Sequence, residues 1–351
     1  MAVTDPISLL RGDIVAMSPY TPGEQVNQAV KLNTNECPTP ASPAVFQALA
    51  DLATDRLRQY PDPLATRLRQ TAAEVYGVDP AQVLAGNGSD DCLTVLYRAV
   101  LRAGDPVAVP WPTYGLYKTL ASLQATPITC VPWRDGWQLP DLAASRARLV
   151  LIANPNNPSS TLVGTDDLRR LADRLDGVLV VDEAYVDFAA PGSTMLPFLG
   201  QHPNLVVLRT FSKSYSLAGA RLGLLFGDAR LVGHLMKVKD SYNVGSAPQA
   251  MGEAALRDQD WHRRLVADIL ASRDLLEREL AAFGWTWPKP HANFLFCQVG
   301  RRAGEVYRAL KARGILVRWW DTPELREHLR ITAGTIAQDQ ALVAALREIG
   351  A

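Results

Sequence analysis

Short, unbroken apolar runs recur through the middle of the chain, at Val107 to Val109, Leu149 to Ala153, Val178 to Val181, Leu205 to Leu208 and Leu222 to Phe226, with helical or loop segments between them. Runs of β-branched and leucine residues without polar alternation belong to strands covered on both faces, so the pattern predicts a mostly parallel sheet between helices, an α/β architecture. An earlier run from Val83 leads through Gly86-Asn87-Gly88 into a helix that starts near Ser89 and continues through Val100. Ahead of it, Ser42 can cap a helix with Pro43 at its first position, and Tyr60-Pro61-Asp62-Pro63 is a rigid turn opening a helix to about Tyr76. Beyond Pro248 the pattern changes. Helices at Gln249 to Arg257 and Asp260 to Phe283 precede Asn293 to Val299, a helix near Arg301 to Arg313, the run Ile315 to Trp319 and a final helix from Gln338, which predicts a smaller α+β unit. The expected organisation is an arm over residues 1–30, broken by Pro6, Pro19, Pro22 and Gly23, a large domain over 31–245 and a small C-terminal domain over 246–351.

A chain of 351 residues can bury a large core, and 48% hydrophobic with 21% charged residues describes an ordinary soluble protein. The 36 basic side chains balance the 36 acidic ones, which gives no general pull toward nucleic acid or an anionic membrane. Any anion site must be local. The first residues lack a signal-peptide pattern and no apolar run is long enough to span a bilayer, so a cytoplasmic protein is expected. Cys37, Cys92, Cys130 and Cys297 show no paired spacing and the five histidines never fall at i, i+4, so neither a disulfide framework nor a metal site is expected.

In parallel sheets ligands gather beyond the carboxyl ends of the strands, so the polar residues there are the ones to read. Trp111-Pro112-Thr113-Tyr114 offers an aromatic that could stack on a flat ring, or pack in the core. Asn154-Pro155-Asn156-Asn157-Pro158 offers amide donors, or a turn. Asp182 follows four apolar residues, so it is either a desolvated carboxylate needing a cation or a helix cap. Lys213 sits among Thr210, Ser212, Ser214 and Ser216 with Arg221 eight positions on, between two apolar runs. A desolvated lysine can form a Schiff base with a carbonyl, and hydroxyls with an arginine fork suit a phosphate. The turn Gly86-Asn87-Gly88-Ser89-Asp90 is a phosphate cradle by its free helix amides, or a plain tight turn; it is neither a dinucleotide fingerprint nor a Walker loop.

Together, Asn154 to Pro158, Asp182-Glu183-Ala184-Tyr185, Ser212-Lys213, Leu217-Ala218-Gly219 and Arg221-Leu222-Gly223 resemble the fold type I aminotransferases that use pyridoxal phosphate. With Tyr60-Pro61-Asp62-Pro63, Gly86 to Asp90 and Leu329-Arg330-Ile331-Thr332, the chain is similar to the histidinol-phosphate aminotransferases from about Tyr20 to Thr335. The resemblance implies a mostly parallel mixed sheet in a large pyridoxal-phosphate-binding domain. Lys213 would hold the cofactor, Asp182 would pair with its ring nitrogen, Tyr185 and Asn157 would bond the ring oxygen and Tyr114 would stack on the ring. Gly88, Ser89, Asp90, Ser212 and Arg221 would surround the phosphate, with Tyr60 reaching in from the second subunit of a homodimer. Arg318 and Arg330 would receive an anionic group of the substrate, with Tyr20, Asn35, Tyr242 and Asn293 near it.

The implied reaction moves an amino group between histidinol phosphate and 2-oxoglutarate, giving imidazole acetol phosphate and glutamate or the reverse, in histidine biosynthesis. An aromatic amino-acid transaminase, an amino-acid phosphate decarboxylase and a regulatory protein that binds the cofactor without turnover are the alternatives. Ser159-Ser160, Asp91, Gly245-Ser246 and Trp319-Trp320 depart from the family's usual residues, and Trp319-Trp320 are bulky neighbours for a substrate pocket.

Overall fold

The computed structural model describes residues 5–17, 23–26, 28–52 and 57–351. The arm carries a short exposed helix, α1 (Gly12–Ala16), and is followed by β1 (Val30–Lys31), α2 (Pro43–Ala50) and α3 (Thr66–Tyr76). As expected, Ser42 Oγ accepts the Ala44 N–H at the start of α2, and Asp62 accepts the N–H groups of Leu64 and Thr66 to open α3. Then come β2 (Val83–Gly86), α4 (Ser89–Val100), β3 (Val107–Trp111), α5 (Leu116–Leu123), β4 (Ile128–Pro132), β5 (Leu149–Ala153), α6 (Thr165–Arg174), β6 (Val178–Asp182), β7 (Leu205–Thr210), β8 (Gly223–Phe226) and α7 (Ala229–Leu235).

These strands make one seven-stranded sheet of order β2-β8-β7-β6-β5-β3-β4, in which β8 runs antiparallel to both neighbours and the other pairs are parallel. Side chains alternate between two apolar layers. Val150, Ile152, Val181, Val207 and Leu224 pack into one, with α3, α6 and α8 (Ser246–Arg257), while Leu149, Leu151, Val180, Val206 and Leu225 pack into the other, with α4, α5 and α7. Burial on both faces is why the runs carry no polar alternation.

The rest of the chain builds α9 (Gln259–Ala281), β9 (Phe294–Gln298), α10 (Ala303–Ala312), β10 (Ile315–Leu316), β11 (His328–Thr332) and α11 (Ile336–Glu348). β9 and β11 pair antiparallel over a third apolar layer. β1 pairs with β10, Leu32 lies in that third layer, and the Leu32 carbonyl accepts the Thr332 N–H at 3.0 Å. The stretch after β1 is therefore laid against β11, which brings Asn33, Thr34 and Asn35 toward the sheet's strand ends. Ser160, at φ 63, accepts N–H groups from His291 and Ala292, tying the loop after β5 to the lead into β9.

Candidate active site

Strand register assembles the site. Gly86 and Thr210 both lie opposite Gly223, and Ala153 lies opposite Asp182, so the turns leaving β2, β5, β6 and β7 share one edge of the sheet. They open onto a cleft of about 590 Å³ whose far wall comes from the segment around Arg318 to Leu325 and from β11.

Asp182, the last residue of β6, is 5% exposed. Its Oδ2 accepts from Tyr117 Oη at 2.9 Å and its Oδ1 from the Ala184 N–H at 3.2 Å, so it caps no helix of any length. Burial, opposed by the Tyr117 hydrogen bond, pushes its carboxyl up to about 6; Asp90 adds to the rise and Lys213 opposes it. A buried carboxylate in that condition has a place for a cation.

β7 delivers Lys213 to the same cleft through a tight turn in which the Ser212 N–H donates to Thr210 Oγ1 at 3.1 Å. Lys213 Nζ donates to the Thr34 carbonyl at 3.1 Å and stands 5.6 Å from the centre of the Tyr185 ring. Tyr185 Oη accepts from Asn35 Nδ2 at 3.0 Å, and Asn35 is itself held by Thr332.

The third corner is the turn before α4. Gly88 has φ +85, and a Cβ there would stand 2.7 Å from Arg221 Nη2, so only glycine admits the guanidinium this close. Arg221 pairs with Asp90 at 3.3 Å, Tyr114 Oη donates to Asp90 at 3.3 Å, and Asp91 Oδ2 accepts the Asn87 N–H and Asn243 Nδ2, fixing the turn. Ser89, Ser212 and Arg221 line the cleft beside the first N–H groups of a twelve-residue helix, an anion-binding arrangement.

On the opposite wall, Arg330 Nη1 donates to Asn157 Oδ1 at 2.6 Å and Nη2 to the Asn33 carbonyl at 2.6 Å; Arg318 lines the same wall. Two neighbours expected for these arginines, Asn293 and Tyr242, stand elsewhere. Asn293 is fully buried, donates to the Asn35 carbonyl at 3.2 Å and does not line the cleft. Tyr60, 81% exposed, and Tyr242 stack on each other with centroids 4.4 Å apart, also outside the chain's own cleft. Tyr20 lies outside the described residues. Two contacts escaped the sequence reading: Tyr117, one helical turn beyond Tyr114, and the Thr34 carbonyl.

Beneath the site, Arg209 lies between Glu183 at 3.1 Å and Asp187 at 2.6 Å, and Asp187 accepts from Ser214 Oγ at 2.5 Å. Glu183 and Ser214 are the immediate neighbours of Asp182 and Lys213. Among the described residues no cluster of His, Cys, Asp and Glu could hold a metal ion, and no helix is long and apolar enough to cross a membrane.

The donor set fits pyridoxal phosphate: an amine, a desolvated carboxylate for a ring nitrogen, hydroxyl and amide donors, and a glycine turn packed on an arginine for the phosphate. The family model described as aminotransferase class I and II matches residues 27–346, and the chain belongs to that family. Within it, the chain is 42% identical over 345 residues to histidinol-phosphate aminotransferase 1 of Trichormus variabilis, covering 97% of this chain and 98% of that one. It is 41% identical to the histidinol-phosphate aminotransferase of Rhodopirellula baltica over 93% of this chain and 91% of the relative. The crystal structure of histidinol-phosphate aminotransferase from Sinorhizobium meliloti in complex with pyridoxal-5'-phosphate superposes with a TM-score of 0.84 at 29% identity, covering 91% of this chain and 90% of that one. An aspartate aminotransferase mutant from Thermus thermophilus, at 21% identity and TM-score 0.83 over 97% of this chain and 99% of that one, shares the fold.

Proposed function

We infer that the protein is a pyridoxal-phosphate-dependent transaminase that exchanges an amino group between histidinol phosphate and 2-oxoglutarate, with glutamate and imidazole acetol phosphate as the other pair, in histidine biosynthesis. The observation that carries this reading is the meeting, in one cleft, of Lys213, the buried carboxylate of Asp182 and an arginine wall.

Bound there, the cofactor supplies an aldehyde for amines and an electron-accepting ring. Lys213 Nζ would hold the aldehyde end and, when released by the substrate amine, carry the substrate's α-proton as base and then acid. Asp182 would hold a proton at the ring nitrogen, where its desolvation makes the pairing strong. Tyr185 and Asn157 would bond the ring oxygen, Tyr114 would cover a ring face, and Ser89, Ser212 and Arg221 would take the phosphate, with Gly88 and Asp90 shaping that turn. Arg330, oriented by Asn157 and Asn33, and Arg318 would bind the substrate's anionic end, with Asn35 beside it. Tyr20, Tyr242 and Asn293 complete the proposed substrate surroundings, Asn293 acting through Asn35.

The chain acts as a cytoplasmic homodimer in this reading, with Tyr60 entering the partner's site. The exposure of Tyr60 and its stacking on Tyr242, away from its own cleft, support that placement.

Purified protein given histidinol phosphate and 2-oxoglutarate is expected to form glutamate, and Lys213→Ala to lose turnover by on the order of 10⁴-fold or more. Glutamate from phenylalanine but none from histidinol phosphate would overturn the substrate. Turnover retained in Lys213→Ala would overturn the mechanism, and none with any amino donor in the parent would favour a binding protein.

A further inference from the structure

The two arginines of the cleft wall face each other across a strand pair. The Arg318 N–H donates to the Arg330 carbonyl at 3.0 Å and the Arg330 N–H to the Arg318 carbonyl at 2.9 Å. Residues that exchange both backbone bonds in this way are directly opposite and project from the same face, where like charges repel. The repulsion between two guanidinium groups so placed is a cost that the hydrogen bonds of Arg330 to Asn157 and the Asn33 carbonyl offset in part.

Trp320 stands two residues beyond Arg318. Its ring centre is 5.2 Å from Arg318 Cζ and 5.4 Å from Arg330 Cζ, and it lines the cleft. Phe294 lies 5.3 Å from Arg330 Cζ as well. An indole face is the strongest aromatic partner for a cation, and one ring in reach of both lowers the repulsion between them. The neighbouring tryptophan does something else. Trp319 Nε1 donates to the Arg326 carbonyl at 2.8 Å, its ring stacks on Tyr307, and a Cβ at Gly304 would come within 2.9 Å of it. Of the tandem pair, then, Trp319 packs against α10 and only Trp320 belongs to the cleft.

We propose that Trp320 is a specificity-determining residue: its ring holds Arg318 and Arg330 together as a dication that receives a doubly charged oxyanion in preference to a carboxylate. A carboxylate neutralises one of the two charges. A phosphate monoester carries nearly two negative charges at neutral pH and three oxygens, enough to engage both forks. This rests on the functional reading above and adds to it the residue that sets the preference.

The test uses loaded holoenzyme, in which the Ser89–Arg221 cradle is filled and cannot bind the probe. Inorganic phosphate is titrated by calorimetry, with acetate as the singly charged probe, into wild type, Trp320→Leu and Trp320→Phe. Trp320→Leu is expected to weaken phosphate about tenfold and acetate by less than about twofold, with Trp320→Phe in between. The KM for histidinol phosphate should rise by the same factor in Trp320→Leu while kcat stays within about twofold. Equal weakening of both anions, or phosphate binding unchanged in both variants, would overturn the proposal. Because Trp320 is only half-buried and Trp320→Phe keeps an aromatic face, the second variant decides the matter should the first fail to fold. The calorimetry reads Trp320 directly, so an enzyme that binds phosphate as expected but turns over a phosphorylated amine other than histidinol phosphate would sink the assigned substrate and leave Trp320 standing, whereas turnover of phenylalanine alone would sink both.

Discussion

Two buried carboxylates that follow one another out of β6, Asp182 and Asp187, are treated in opposite ways by the same fold. Glu183 faces Arg209, which also pairs with Asp187, and that network is completed by Ser214, Thr194 and the Met195 N–H. Burial alone would raise the Asp187 carboxyl, but the charge of Arg209 beside it, helped by His262 and Ser214, holds it well below the usual range; Arg209 is raised in turn, against its own burial, by Asp187 and Glu183. Burial also raises Glu183, against Arg209, while Asp182, one residue before it, receives only a tyrosine hydroxyl and one N–H, and burial pushes it up to about 6. The network stabilises the turns that carry the site, whereas the cleft keeps charges incompletely matched. An incompletely matched charge is what a ligand can use.

The contrast breaks most visibly at Arg209. Arg209→Met leaves Glu183 and Asp187 buried without their cation, and unfolding in denaturant should show a loss of roughly 3–5 kcal/mol. A loss below about 1 kcal/mol would mean that the network is not the stabilising half of the pair. Asp182→Asn should do the reverse: kcat/KM falls on the order of 10²–10³, since a preorganised charge is removed, while the cofactor-free protein becomes more stable. The sign follows from linkage. Asp182 is raised in the fold from 3.8 to about 6, so its own contribution to wild-type stability is full below pH 4, declines between pH 4 and 6, and is lost above that. The asparagine variant lacks this decline, and its advantage at pH 8 is at most about 3 kcal/mol. Chemical denaturation of the apoprotein at pH 4 and pH 8 measures it; an Asn variant less stable than wild type at pH 8 would show Asp182 to be structurally paired after all.

Much of this was legible in the chain. The strands β5 to β8 follow from their unbroken apolar runs, and Asp182 could be read as desolvated because four apolar residues precede it. β4 was missed because it is an edge strand in which Thr129 and Pro132 are exposed and no long apolar run forms. Tyr117 was missed because a buried helical tyrosine has the same local pattern whether or not it touches a carboxylate of the cleft. Arg209 ends an apolar strand with no local cue to its two partners. The Lys213 contact with Thr34 spans 179 residues and depends on β1 pairing with β10, which periodicity cannot reveal. Trp319 and Trp320 looked alike in sequence; only the packing of α10 separates them.

The smallest expected effect tests whether a raised carboxyl by itself marks function. Asp339, at the start of α11, is fully buried and pushed up to about 6 by burial, against hydrogen bonds from Ser272 and the Gly334 N–H. Ser272 Oγ lies within hydrogen-bonding reach of both the Gly334 carbonyl, at 2.7 Å, and Asp339 Oδ2. One hydroxyl proton serves one acceptor. If it goes to Gly334, a neutral Asp339 supplies the proton for the other contact, and ionisation removes it. Asp339→Asn keeps every partner, because Oδ1 can accept the Gly334 N–H while Nδ2 donates to Ser272. The linkage sign is that of Asp182: no difference below pH 4, and a gain for the variant that grows between pH 4 and 6 and is at most about 3 kcal/mol at pH 8. Turnover should stay within about twofold of wild type, since Asp339 does not line the cleft. A gain in stability with turnover intact would separate the two buried acids by their surroundings rather than by their proton affinity: Asp182 opens onto a cleft that can bring it a cation, and Asp339 is closed in by its own serine and turn.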